Sequence, residues 1–520
     1  MMTELQSSGL DFLSFFWLLV IASGVAMLGR YIRIPYALAL VITGLIIGPV
    51  HILPQVHLYP EILLTIFLPP LLFESALNLR LKLLRENWKP VFFFSFVGTV
   101  FSTLSIGLLM HWLAGLPLPA ALVFGALISP TDPVSVIAIL KELRVGKRLS
   151  TIMEAESLFN DGVAIVIFSL LLGYAGGQEI EPSQSIVLFF KVFAGGLALG
   201  ILTGSIASRL TREFDDHLLE IMLTTIVAFG SFLLAESLHV SGVIAVVAAG
   251  LTVGSYGMPT GMSPTTRLAV SSFWEYAAFA ANSIIFLLVG LEVTFVNLSV
   301  AWKEIGIGII AILVSRSVAI YLLSVVVNWL KGEVPFKWQH VLIWGGVRGA
   351  LPMALVLGLG FGFPQRSELV VITFGVVLFS LLVQGLSIKA LIKQLGLSDV
   401  HPSITAYCKL ASRLLAIDAA LDEITRMEKQ KAITPATHDE LQQAYRQNLA
   451  HVQESIERLR RQDPQLAQYQ EREARILALR AEKSALQEAE RIGMLDLETL
   501  EELNTEIDQQ LEELRSGMLE

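Results

Sequence analysis

The chain has 520 residues, 54% of them hydrophobic, a mean hydropathy of +0.65 and a formal net charge of −9. Apolar runs of about sixteen to twenty-eight residues follow one another from Phe12 to near Ile388, and only a bilayer needs so many spanning lengths in series. This excludes a soluble protein of several small cores, and the expected class is an all-α polytopic membrane protein with no nucleic-acid partner.

Met1 to Asp11 is polar and has no basic n-region, so the first apolar run is expected to stay as a span. Thirteen transmembrane helices are expected at approximately 12–28, 35–50, 61–78, 90–114, 118–140, 150–176, 184–207, 217–236, 240–256, 272–297, 303–330, 341–361 and 368–388. Basic residues cluster after alternate spans. Arg30 and Arg33 follow the first, Arg80, Lys82, Arg85 and Lys89 the third, and Lys141, Arg144, Lys147 and Arg148 the fifth. Arg209 and Arg212 follow the seventh, Arg267 precedes the tenth, Lys331 and Lys337 follow the eleventh, and Lys389 and Lys393 the thirteenth. The opposite loops carry little beyond Lys303 and Arg366. The N-terminus is therefore expected outside and the tail in the cytoplasm.

Two spans are chemically interrupted. The fifth contains Ser129-Pro130-Thr131-Asp132-Pro133, whose prolines remove amide donors and disfavour helix before them. The twelfth contains Gly345-Gly346-Val347-Arg348-Gly349 and then Pro352. Backbone freed at membrane depth is tolerated only against protein or a water-filled cavity. An offset of seven spans reverses direction through the bilayer, so spans 1–6 and 8–13 are expected to form two inverted repeats. Paired interrupted spans point to a transporter's binding site.

Charges within the spans mark function, because each costs roughly 2.5–3.5 kcal/mol on insertion scales. Glu74 lies towards the inner end of span 3, Asp132 in the break of span 5 and Arg348 in that of span 12. Span 6 carries Glu154, Glu156, Ser157, Asn160 and Asp161; Ser157 and Asp161 share one face, Glu156 and Asn160 another. A small dehydrated cation needs hard oxygen ligands, and Asp161, Asp132, Ser157 and the freed carbonyls near Thr131 supply them. A buried carboxylate at Asp161 would hold a proton or a metal cation, never both, and such competition is all that obligate exchange requires. Glu156 and Arg348 are expected to form a structural ion pair bridged by the Asn160 amide, with Arg316 paired elsewhere. Glu154 reads as solvated. The histidines show no metal-ligand spacing.

From residue 400 onward the chain carries 23 acidic and 15 basic residues, which accounts for nearly all of its net charge of −9. Leu441, Tyr445, Leu449, Val452, Ile456 and Leu459 recur at helical spacing, as do Leu500, Leu503, Ile507, Leu511 and Leu514. Residues 1–395 are thus expected to form a transmembrane domain and 396–520 a cytoplasmic helical tail, with Pro464 between helical segments. The lone cysteine, Cys408, precludes an intrachain disulfide, and no nucleotide fingerprint appears in the tail.

Ile128 to Val134, Glu156-Ser157-Leu158-Phe159-Asn160-Asp161-Gly162, Asn282 to Leu291, Trp344 to Ala350 and Gln384-Gly385-Leu386 resemble, in order, motifs of the electroneutral monovalent cation–proton antiporters. That family includes bacterial NhaP-type antiporters, animal sodium–proton exchangers and plant plasma-membrane salt-tolerance exchangers. The resemblance spans about residues 12–395. It implies a thirteen-span homodimer with crossed broken helices, a rigid dimer domain and an elevator-like moving core in the cell membrane. It implies exchange of one sodium or lithium ion for one proton, with no cofactor. By position, Asp161 matches the ion-binding aspartate and Asn160 the asparagine before it. Thr131, Asp132, Ser157 and Glu74 match cation ligands, direct or through water, and Glu156 and Arg348 the stabilising ion pair. Potassium–proton exchange at the same site, and less readily a regulated cation channel, are the competing readings of these residues.

Overall fold

The structure, a computed structural model, describes residues 12–32, 36–48, 63–79, 81–143, 145–177, 182–213, 216–292, 301–360, 362–397, 402–430, 432–491 and short stretches from 494 to 514. Arg33, Arg80 and Arg144, used above for orientation, lie outside the described residues. The chain divides into two compact units, Met1–Leu397 and Ser398–Glu520.

All regular structure among the described residues is helical. In the first unit the principal helices are α1 (Phe12–Ile32), α2 (Tyr36–Ile47), α3 (Leu68–Asn78), α4 (Trp88–Ala114), α5 (Leu118–Ile128), α6 (Val134–Glu142), α7 (Lys147–Ala175) and α8 (Pro182–Leu210). They continue with α9 (His217–Ser237), α10 (Gly242–Gly261), α11 (Pro264–Glu292), α12 (Trp302–Trp329), α13 (Phe336–Trp344), α14 (Ala350–Leu357) and α15 (Arg366–Gln394). Seven helices among the described residues are long and apolar enough to cross a membrane: α4, Val187–Leu210 within α8, and α7, α9, α10, α12 and α15 whole. Their outward faces carry exposed Leu104, Trp112, Val187, Phe190, Ile226 and Val325, a coat that water would not tolerate but acyl chains would.

Lipid offers no hydrophobic drive for helix association, so close approach through small residues does much of the packing. Gly196, Gly200 and Gly204 lie one turn apart on α8 and face Ser241, which caps α10, and Ala245 and Ala249 within it; a Cβ at Gly200 would stand 2.2 Å from the Ala245 carbonyl oxygen. Gly44 of α2 meets Gly290 of α11 in the same manner. Two buried apolar clusters fill this unit. One holds Leu18, Phe94, Phe124, Met153, Leu342 and Phe374; the other holds Phe73, Phe232, Val246 and Trp274, whose indole donates to Thr224 Oγ1 at 3.1 Å.

Both predicted interruptions are present. Helix stops at Ile128 and restarts at Val134; it stops again at Trp344 and restarts at Ala350.

In the second unit α16 (Pro402–Lys429) packs against α17 (Pro435–Gln462), and α18 (Pro464–Arg491) follows. The Thr434 hydroxyl accepts from the Thr437 amide and caps α17, and Pro435 takes the first helical position, where no amide is needed. Val452 from the expected stripe is buried, as are Ile417 and Ile424 of α16. Leu511 and Ile507 join Ile476 and Leu479 in a small separate cluster.

Candidate functional site

The two breaks touch. The Asp132 amide donates to the Val347 carbonyl at 2.7 Å, tying the first break to the second. Gly349 lies flat against Asp132: a Cβ there would stand 2.4 Å from Asp132 Cβ and Oδ2. Gly349→Ala must therefore displace the Asp132 side chain or part the two breaks. A loss of about 1–3 kcal/mol is expected, read as a lower melting temperature of the purified protein; an unchanged melt would refute this contact.

Breaking a helix leaves carbonyls without amides, and buried carbonyls must find donors. Side chains from three elements provide them. Arg348 Nη1 donates to the Ser129 oxygen at 2.6 Å and to the Pro130 oxygen at 2.9 Å. The Ser157 hydroxyl of α7 donates to the Thr131 carbonyl. At the second break Arg348 N donates to Ser380 Oγ at 2.7 Å, and Gln384 Nε2 to the Trp344 oxygen at 3.2 Å. Asp132 Oδ1 accepts from the Val134 amide at 3.0 Å and so starts α6.

The ion pair expected between Glu156 and Arg348 is not the one observed. Glu156 is held bidentately by Arg316 of α12, with Nη1 at 2.6 Å from Oε1 and Nη2 at 2.9 Å from Oε2, both side chains buried. Arg316 Nη2 also donates to the Leu342 oxygen at 3.0 Å, which fixes α13 to α12. Arg348 is equally buried but is engaged on the break's carbonyls. The reason is positional: mid-helix Arg316 reaches α7 with its fork, whereas Arg348 stands in the second break beside the Ser129 and Pro130 carbonyls that the first break frees. Asn160 is likewise displaced from its expected role. Its amide joins α7 to the first break, with Nδ2 at 2.8 Å from Thr131 Oγ1 and 3.5 Å from Glu156 Oε1, and Oδ1 accepting from the Thr131 amide at 3.4 Å.

Beside this scaffold lies Asp161. It is half-buried and has no hydrogen-bond or ion-pair partner among the described residues, and the carboxylates of Asp132 and Glu156 are close enough to act on it electrostatically. Thr131, Asp132, Ser157, Asn160 and Asp161 are thus gathered at one place. Glu74 is not hydrogen-bonded into it; its carboxylate accepts from Asn78 Nδ2 at 2.8 Å, and Glu154 and Glu275 bear on it electrostatically. Among the described residues no three of His, Cys, Asp and Glu converge as a metal centre. The oxygens available beside Asp161 are those of carboxylates, hydroxyls and broken-helix carbonyls, a set suited to a hard alkali cation. Sequence reasoning missed Arg316 as the partner of Glu156, although its mid-span charge was visible, and missed Ser380 entirely. Gln384 stood in a recognised motif without a role.

Residues 18–394 match the family model described as the transmembrane sodium/hydrogen exchanger. The Na(+)/H(+) antiporter NhaG of Bacillus atrophaeus is 38% identical over 499 residues, 94% of each chain. The Na(+)/H(+) antiporter ApNhaP of Aphanothece halophytica is 39% identical over 496 residues, 93% of this chain and 94% of the relative. In fold the chain is similar to the sodium proton antiporter MjNhaP1 of Methanocaldococcus jannaschii, with a TM-score of 0.61 and 23% identity over 73% of this chain and 97% of that one.

Proposed function

The chain belongs to the transmembrane sodium/hydrogen exchanger family, and from that premise we propose that it exchanges sodium or lithium for protons, one for one, at Asp161. A single observation carries this reading: beside the meeting of two broken helices, the Asp161 carboxylate has no cationic partner among the described residues, while Arg316 and Arg348 are committed elsewhere. A carboxylate satisfied by a guanidinium would have no use for a transported ion. One left open accepts either a proton or a metal cation, and occupancy by one excludes the other. Asp132, Ser157, Thr131 and Asn160 complete or orient the cation's oxygen shell, and Glu74 acts through water towards the cytoplasmic side. The Glu156–Arg316 pair and the Arg348 carbonyl clamp hold the shell's geometry while the site moves.

The wider frame is thirteen spans in two inverted repeats, outer N-terminus, cytoplasmic tail and elevator-like movement against a dimer partner in the cell membrane. The match of relatives across nearly the whole chain supports it, as do the two interrupted helices, a pairing that marks the binding site of many transporters. Reconstituted into proteoliposomes with a pH-sensitive dye, the protein is expected to move protons in response to sodium and lithium. The apparent KM for sodium should rise as pH falls, because protons compete for one carboxylate, with the maximal rate little changed. A response to potassium without one to sodium would reassign the cation. Failure of a sodium gradient to drive protons uphill would turn the reading towards a channel, which cannot couple the two flows.

A further inference from the structure

We infer that a basic pocket at the ends of α3 and α10 binds the phosphate headgroup of an anionic phospholipid. The pocket encloses about 930 Å³ and is lined by Lys82, Arg85 and Arg267, with one acid, Glu86, among Leu77, Leu79, Leu81, Met258, Ser255 and Tyr256. None of the residues that gather around Asp161 lines it, although Asn78, which does, also donates to Glu74 at 2.8 Å. Its walls follow from the backbone. Gly254 lets α10 touch α3 directly, since a Cβ there would stand 2.1 Å from the Leu77 oxygen. Beyond that contact the chain leaves α3 for the short helix Leu81–Glu86, and α10 widens into a π-helical turn over Val253–Gly257. The pocket opens between the two.

Three features point to a phosphate-bearing amphiphile. First, the charge is positive and partly fixed. Arg267 is anchored by donating from Nε to the Met262 oxygen and from Nη2 to the Pro259 oxygen, both at 3.0 Å, and a guanidinium has further donors beyond those two. Second, the π-helical turn presents Ser255, whose buried hydroxyl has no hydrogen-bond partner among the described residues. A buried hydroxyl beside cations is the donor a phosphate oxygen would satisfy. Third, the lining joins cations and an exposed tyrosine, Tyr256, to an apolar floor, at the end of the spans where basic residues gather. A free anion needs only the cations. A lipid needs the apolar floor as well, with its chains continuing along exposed apolar side chains such as Leu268.

The test uses the full-length protein in detergent, titrated with phosphatidylglycerol, phosphatidylcholine or inorganic phosphate and followed by thermal melting and native mass spectrometry. Phosphatidylglycerol is expected to raise the melting temperature and to stay bound, and phosphatidylcholine to do neither. Each cation near an anionic headgroup is worth about fivefold in affinity, so the double variant Lys82→Gln/Arg85→Gln should bind phosphatidylglycerol roughly thirtyfold more weakly. Ser255→Val should weaken it further, with no change in melting temperature in phosphatidylcholine if folding is intact. Undiminished phosphatidylglycerol binding in the double variant overturns the site. A full shift produced by inorganic phosphate alone overturns the lipid as its source. Neither readout depends on ion exchange, so the outcome is independent of the role given to Asp161.

Discussion

Asp161→Asn is expected to abolish cation-coupled proton movement and to leave the melting temperature unchanged or slightly higher. The amide is nearly isosteric with the acid but takes up no proton near neutrality and offers no negative charge to a metal cation. Both halves of the exchange therefore fail together. Stability behaves differently because Asp161 has no salt-bridge or hydrogen-bond partner among the described residues to strand. Removing an unpaired charge from membrane depth relieves a cost of roughly 2.5–3.5 kcal/mol on insertion scales, reduced here because Asp161 is only half-buried. The two assays belong together: dye-monitored flux in proteoliposomes and melting of the same preparation. Exchange at the wild-type rate would remove Asp161 from the mechanism. Lost exchange together with a collapsed melt would make it a structural residue instead.

The second large effect concerns the ion pair. Arg316→Ala should destabilise the protein by about 3–5 kcal/mol, because it leaves the Glu156 carboxylate buried and uncompensated. It also frees the Leu342 carbonyl and loosens α13 from α12. Adding Glu156→Gln should recover much of the loss, since the amide carries no charge to desolvate. A double-mutant cycle built from the two single variants and the pair would then give a coupling energy above the roughly 0.5 kcal/mol within which distant, independent sites add. Arg348 is a control of a different kind. Arg348→Ala strands two carbonyls of the first break rather than a carboxylate, so Glu156→Gln should not rescue it. Rescue of Arg348→Ala by Glu156→Gln, and not of Arg316→Ala, would restore the pairing first expected from the sequence.

That exchange of arginines marks where reading the sequence ends. Pro130, Pro133 and the run Gly345 to Gly349 announced both interruptions, because proline lacks an amide and glycine weakens helix wherever they stand. Ser157, Asn160 and Asp161 could be placed on neighbouring faces of one helix, because helical periodicity is a local property. Apolar runs located the spans for the same reason, and composition separated an acidic helical tail from a nearly neutral membrane portion. The pairing of Glu156 is of another sort. Two buried arginines were available, 160 and 192 positions away in the chain, and only their arrangement in space assigns the acid to Arg316. The same holds for the Asn160 bridge to Thr131, for Ser380 under the second break, and for Gly349 pressed on Asp132. Local chemistry dictates where the helices must break and which charges need neutralising. Which donor reaches which orphaned acceptor depends on distances between remote segments, and these exist only once the helices have packed.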